Sequence, residues 1–410
     1  MFVIEAGLMI DGTGKEPVKG CSVLVKDGKI EKIEKTADFT LPSGVEVIKA
    51  HDLTLMPGMI DCHVHIHYPG GPNVNNSYSV FITSESQSYL TAYSLQNIKK
   101  DLDMGFTTLR VLGAPNYIDV GVRKAVDQGV AEGPRLLVAG QGICVTGGHM
   151  DKAYWSPDVF VAGRTGVGDG PWGCRIAARE QLKWGADVLK INAAGGSHDL
   201  SEPWHQEMTY EEMAAVIEEA HWAKKKVAAH AHGGKGITDA ILAGLDSIEH
   251  GLWLSQEQTN MMAERGVFYV PTLSTHTRGF ELGKEGISGS TGSWNWLVKA
   301  CEDRWTSLER AKKSGVKVCL GTDAGFWMRH GENALELVDF IKGGYTPMEA
   351  LTMATLTGAE CLGIEKETGS ITAGKFADLL LIKGNPLEDV SLLTKQENIV
   401  QVYKQGNPVK

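Results

Sequence analysis

The sequence predicts an α/β fold: a (β/α)8 TIM barrel carrying a small β-sandwich built from both chain ends. Three observations predict it. Short apolar runs alternate with longer helical stretches from about residue 57 to 364. Both flanks, 1–56 and 365–410, are instead series of short β-type runs broken by Gly and Asp turns. Neither flank is long enough to bury a core alone, so the two are expected to pair. Continuous apolar strands followed by helices imply a parallel sheet covered on both faces.

The first flank contains FVIEAGLMI, the turn DGTGKEP, then CSVLVKDGKIEKI and VEVIKAHDLTLM, all strand-like. The eight apolar strands that follow are GMIDCHVH (58–65), TTLRVLG (107–113), RLLVAGQG (135–142), DVLKINAAG (187–195), KVAAHAHG (226–233), SIEHG (247–251), VFYVPTL (267–273) and VKVCLGTDA (316–324). The Gly-rich TGVGDG at 165–170 reads as a loop on the rim of this barrel, and no Lys-Ser/Thr follows it as in a phosphate loop. The last flank supplies FADLLLIKG (376–384) and NIVQVYKQGNPV (398–409) as further strands.

The bulk numbers exclude several classes. Charged residues are 22% and hydrophobic ones 42% of 410, the profile of a globular protein with a large core. A net charge of −10 without a basic block argues against nucleic acid as a partner. No apolar run reaches about 18 residues, so no membrane span is expected. The N-terminus lacks the basic region and cleavage site of a secretory signal. Seven widely spaced cysteines with no CxxC pair argue for reduced thiols in a cytoplasm. Cys62, on the opposite strand face from its histidine neighbours, reads as core.

The chemistry lies at the strand ends, where a barrel gathers its active groups. Strand one ends in His63 and His65, strand four carries Lys190, strands five and six end in His230 and His250, and strand eight ends in Asp323. Residues two apart on a strand share a face, so His63 and His65 both point inward and can grip one ion. Imidazole and carboxylate suit a borderline-soft divalent metal such as zinc. A lone histidine is more often a hydrogen-bonded core residue, but four at the ends of three strands, beside an Asp on another, favour a metal site. Lys190, in the middle of apolar VLKIN, has two readings. It is either paired with a nearby carboxylate, or carboxylated by carbon dioxide into an anion able to bridge two metals.

These motifs resemble the amidohydrolase superfamily nearly end to end: PGMIDCHVHIH (57–67), VLKINAAGG (188–196), AAHAHG (228–233), SIEHG, GTDA (321–324) and the tail GSITAGKFADLLLIKGNPLEDV (369–390). Within it the chain is most similar to the metal-dependent dipeptidase and carboxypeptidase branch, prolidase-like and related to imidazolonepropionases. The resemblance implies two divalent ions, usually Zn2+. His63, His65 and Asp323 would bind one and His230 and His250 the other, with N6-carboxylated Lys190 bridging. Two ions about 3.5–4 Å apart would generate hydroxide at neutral pH. Asp323 would take its proton and pass it to the leaving amine.

The resemblance also implies substrate contacts at His149, in TGGHM, and at His232, where relatives sometimes carry Tyr. Arg110 matches a family Arg, but Val111 stands where an Asp is common, so Arg110 reads equally as a structural ion-pair member. His276 and Arg278, after strand seven, are placed in a loop and offered to a substrate carboxylate. His67 is too far past its strand to ligate, Asp61 would orient a ligand, and Tyr154 and Trp155 are pocket candidates. The expected activity is hydrolysis of an amide in a dipeptide or N-acyl amino acid, with homo-oligomers common in the family. The alternatives are a cyclic amide, urea, carbamate or amide-linked toxin as substrate, or a non-catalytic scaffold. The last is disfavoured because all six ligand positions are filled.

Overall fold

The computed structural model describes residues 1–71, 81, 82, 84–151, 166–196, 204–284 and 291–410, without the side chains of 291–295. Tyr154 and Trp155 lie outside the described residues.

The chain opens with four strands: β1 (Phe2–Met9), β2 (Val18–Lys26), β3 (Lys29–Lys35) and β4 (Glu46–Pro57). β2 and β3 form a two-residue hairpin over Asp27 and Gly28, whose φ values of 50° and 77° match the right-handed strand twist. β1 pairs antiparallel with β2 and parallel with β4.

Nine short strands follow: β5 (Met59–Val64), β6 (Phe106–Val111), β7 (Arg135–Val138), β8 (Ile143–Cys144), β9 (Gly166–Val167), β10 (Val188–Asn192), β11 (Lys226–Ala231), β12 (Ser247–His250) and β13 (Phe268–Val270). All their pairings are parallel, in two sheets of order β5-β6-β7 and β13-β12-β11-β10-β8-β9. Two expected strands differ. The third is split into β7 and β8, because Gly140 takes φ +70° to donate its N–H to Asp119 at 2.8 Å. The eighth, 316–324, makes isolated bridges, Tyr269 to Val318 and Val64 to Ala324, in place of a continuous strand. It still links both sheets, since Cys319 N donates to Tyr269 O and Cys62 N to Leu320 O, each at 2.9 Å. At the other edge Asp187 N, just before β10, donates to Val138 O of β7 at 2.7 Å. The expected rim loop differs as well: Gly166 and Val167 pair with Ile143 and Cys144, and Gly170 opens a helix.

Helices alternate with these strands, among them Gln87–Asp103, Gly170–Trp184, Tyr210–Trp222, Gln256–Arg265 and Leu273–Lys284. Several starts are written in the sequence: Thr209 with Glu212, Ser255 with Gln258 and Thr346 with Glu349 each form a complete capping box. Among the described residues no helix is long and apolar enough to cross a membrane.

The chain ends in β14 (Leu379–Lys383), β15 (Ile399–Lys404) and β16 (Asn407–Pro408). β14 lies antiparallel against β4, so both termini enter one seven-stranded mixed sheet, β16-β15-β14-β4-β1-β2-β3. The sequence expects two layers here; the structure has one sheet. It bends back on itself, because Ile30 N donates to Lys375 O and Ala377 N to Gly28 O, each at 2.9 Å. Ile4, Val23, Val25, Ile30, Leu55, Leu379 and Leu381 fill the fold so formed. A larger core, from Met59 and Phe106 to Phe340, packs the parallel strands against their helices.

Candidate active site

His63, His65, His230 and His250 stand at or just past the C-terminal ends of parallel strands, Asp323 follows the eighth segment, and Lys190 lies in the middle of β10; all but the half-buried Asp323 are buried. His63 and His65 converge on one acceptor: their Nε2 atoms lie 3.5 and 3.4 Å from Asp323 Oδ1. Donor atoms of these three residues all fall within 4.8 Å of one another. The second pair adjoins the first, with the His250 ring 4.9 Å from His63 and 4.6 Å from His230. Lys190, on β10, feels the charge of Asp323 and Glu249. No carboxylate lies within ion-pair distance of it among the described residues, which disfavours the simple paired-lysine reading.

The hydrogen bonds fix which nitrogen faces the centre. His65 Nδ1 meets the Gly113 carbonyl at 3.2 Å, so Nδ1 carries the proton and Nε2 presents a lone pair. His63 Nδ1 likewise meets Glu249 Oε2 at 2.9 Å. His250 Nδ1 meets Thr272 Oγ1 at 2.8 Å. His230 Nε2 is buried without a hydrogen-bond partner among the described residues, and so is Asp323 Oδ1. Burial, then the neighbouring cationic groups, hold His63, His65, His230 and His250 well below the usual imidazole range. Neutral imidazoles with lone pairs turned inward, and a carboxylate oxygen with nothing to accept from, are what a divalent cation requires. The donor set therefore fits metal.

A supporting shell holds these donors. Glu249 is fully buried between His63 and Arg110, whose Nη2 lies 2.8 Å from Glu249 Oε1. Arg110 also donates from Nη1 to Ser247 at 3.1 Å and from Nε to the Cys62 carbonyl at 2.5 Å. Arg110 is thus an ion-pair member, acting on His63 through Glu249. Carboxylates behind metal-ligating histidines fix the ring and raise its basicity. Sequence reasoning missed Glu249 although it adjoins His250 in SIEHG. It also missed His330, whose Nδ1 meets Asp101 at 2.7 Å and whose Nε2 meets the His65 carbonyl at 3.3 Å.

Asp61 does not orient a ligand ring. Its carboxylate accepts from His63 N (3.0 Å), Thr322 N (3.1 Å), Thr322 Oγ1 (2.6 Å) and Asn333 Nδ2 (2.8 Å), tying the first strand to the turn that carries Asp323. That turn and the end of β12 are conformationally unusual: Asp323 and His250 have φ of 57° and 71°. Left-handed backbone at such residues is costly and gathers at functional sites.

Around the donors stand the other predicted residues. The His149 ring stacks on His230 at 4.1 Å, and the His149 backbone N–H donates to the Glu207 carboxylate at 2.9 Å. His232 lies 4.7 Å from His230 and 5.1 Å from Trp296, ring to ring. His67 is buried against Tyr68, its ring 6.2 Å from His65. His276 and Arg278 sit in the helix Leu273–Lys284, where a loop is expected. His276 is buried with Nδ1 on the Thr272 carbonyl at 2.9 Å, and burial pushes its pKa down to about 4. At neutral pH it is therefore no cation for a carboxylate; its Nε2 is an acceptor. Arg278 is partly exposed and pairs with Glu281 at 3.1 Å. Sequence reasoning missed the aromatic wall: Trp253 and Trp296 lie 6.0 Å apart, Trp204 is 6.0 Å from Trp253, and Trp327 is 6.2 Å from His276.

Residues 54–409 match the Amidohydrolase family, and the chain belongs to that family. It is a hydrolytic enzyme acting on amide C–N bonds, in a superfamily whose members depend on metal. Among its relatives is the ochratoxinase of Aspergillus niger, 30% identical over 431 residues that span 100% of this chain and 86% of that protein. It also resembles a Xaa-Pro dipeptidase crystallised with methionine in its active site, with TM-score 0.91, 32% identity and 99% of each chain covered. A prolidase in complex with N-methylphosphonate-L-proline is similar at TM-score 0.89 and 28% identity, over 100% of this chain and 99% of that one.

Proposed function

We propose that this chain is a binuclear, zinc-type amidohydrolase that removes the C-terminal residue of a dipeptide, Xaa-Pro or close to it, or of an N-acyl amino acid. In this reading the linked parallel sheets act as one closed (β/α)8 barrel over 57–364, with 1–56 and 365–410 as a companion domain. The observation that carries the reading is the convergence of His63 and His65 on Asp323, with His230, His250 and Lys190 buried beside them. His63, His65 and Asp323 would hold one ion, His230 and His250 the other, and carboxylated Lys190 would be a ligand shared between them.

When bound, such ions activate water and polarise the amide carbonyl. Asp323 Oδ1, free of hydrogen bonds among the described residues, accepts the water's proton and returns it to the departing amine. Burial pulls the Lys190 pKa down to about 8, so near neutrality part of the amine is unprotonated. That amine adds to carbon dioxide, forming an N–C bond and a carbamate as one proton leaves. His149 and His232 flank the scissile bond, and the aromatic wall takes the proline ring or another apolar side chain. Arg278 meets the substrate carboxylate by exchanging it for Glu281. Reduced thiols and the family resemblance support a cytoplasmic homo-oligomer.

A second reading, cleavage of an amide-linked aromatic amino acid, is favoured by the full-length likeness to ochratoxinase and by the tryptophans near His232. Turnover should be measured on Xaa-Pro dipeptides, N-acyl aromatic amino acids, cyclic amides and ureas, each with its C-terminal amide where one exists. Hydrolysis of Xaa-Pro that is lost on amidation supports the first reading. Preference for N-acyl aromatic acids moves the assignment to the second. Turnover confined to cyclic amides or ureas overturns both.

A further inference from the structure

Behind the first strand, facing away from the histidines, three cysteines from three separate elements meet: Cys62 of β5, Cys319 of the eighth strand-like segment, and Cys361 of the helix Leu356–Leu362. Their sulfurs all lie within 4.8 Å of one another, and every one of these thiols is free and buried. Three sulfurs held about 2.3 Å from a central ion in a trigonal plane stand about 4 Å apart, so the cluster needs little adjustment to become a coordination shell. Its surroundings are apolar: Ile60, Phe268, Val270, Ala359 and Leu362. The carbonyl contacts of these thiols are long, 3.8 Å from Cys62 to Gly358 and 3.5 Å from Cys319 to Thr357. By contrast Cys174 reaches the Gly168 carbonyl at 3.0 Å and Cys301 that of His276 at 3.1 Å.

We propose that Cys62, Cys319 and Cys361 form a second metal site, separate from the histidine centre, that takes a soft, thiophilic divalent cation in three-coordinate thiolate ligation. Soft thiolates select soft ions, and no carboxylate or imidazole is in the set to admit hard ones. The exchange is balanced: three S–H bonds break, three M–S bonds form, and three protons leave, giving a complex of net charge −1. The buried Arg110 guanidinium, bonded through Nε to the Cys62 carbonyl, favours that negative charge.

The test adds cadmium ion to the metal-loaded enzyme and follows thiolate-to-metal charge transfer and bound cadmium per chain. X-ray absorption then reads the ligands of the bound ion. One cadmium per chain, with a three-sulfur shell, is expected. Cys319→Ala and Cys361→Ala should each lose the band and the extra ion, while Cys144→Ala and Cys174→Ala keep both. Thermal unfolding shows which variants are folded, and the absorption measurement on the unaltered enzyme stands without any variant. A nitrogen and oxygen shell, or a band that survives in folded Cys319→Ala and Cys361→Ala, overturns the proposal. Neither outcome depends on which amide the histidine centre cleaves.

Discussion

In the terminal sheet no buried side-chain oxygen or nitrogen lacks a partner, whereas His230 Nε2, Asp323 Oδ1 and Trp296 Nε1 stand without hydrogen bonds around the mouth of the parallel strands, among the described residues. The backbone divides in the same way. In the sheet the positive-φ residues Asp27 and Gln405 each precede a glycine in a tight hairpin turn, where local geometry asks for them. At the mouth, Asp323 and His250 adopt the same region at strand ends, with no hairpin to require it. One region is consistent at every level, so its residues serve stability. The other leaves polar groups and backbone in costly states of the kind that gather at functional sites.

Substitutions on the two sides should therefore fail differently. The largest effect is expected from Lys190→Ala: one of two bound ions lost and turnover abolished, with partial recovery on adding short carboxylic acids. Full metal content in that variant would remove the bridging role. Next comes Asp323→Asn, expected to keep most of the metal and lose about 10²–10⁴ in kcat, the usual contribution of a proton-transferring group. Wild-type rates would free Asp323 of that task. Glu249→Gln should weaken metal affinity or activity about 10–100-fold by loosening His63. It should also destabilise the fold by about 3–5 kcal/mol, since Arg110 is left as a buried cation without its anion. Metal titration and denaturant unfolding read the two losses separately. The smallest effect on catalysis belongs to Leu381→Ala in the terminal sheet. A cost of about 2–5 kcal/mol in stability is expected there, with kcat and metal content unchanged. A changed metal content would erase the division between the regions.

Local periodicity makes part of the molecule legible in its sequence. Alternation along β5 places His63 and His65 on one face, and the same rule puts His230 beside His232. Lys190 and Asp323 stand out because a charge within or just after an apolar run is costly to bury unless a partner or an ion meets it. Long-range partners are not legible. Glu249 gains its meaning from Arg110, which no spacing connects to it. The tryptophans converge from the loop after β12, a turn ahead of the helix Tyr210–Trp222, the helix Thr291–Ser314 and the turn after Asp323, and the three cysteines from elements equally far apart. The eighth segment misleads in the other direction: VKVCLGTDA has strand composition, yet its backbone bonds alternate between two neighbours without forming a ladder.

The pairing of β4 with β14 has a consequence for biosynthesis. β4 offers one edge to β1 at once, but its other edge waits for Leu379–Lys383. At about 5–20 residues per second, the ribosome needs tens of seconds to deliver that segment. During that interval the nascent chain carries a bare, apolar strand edge, the feature that invites association with other chains. A polypeptide released between Asp323 and Leu379 keeps that edge open permanently, so such premature termination should yield aggregates even though every residue proposed to hold metal has already been translated.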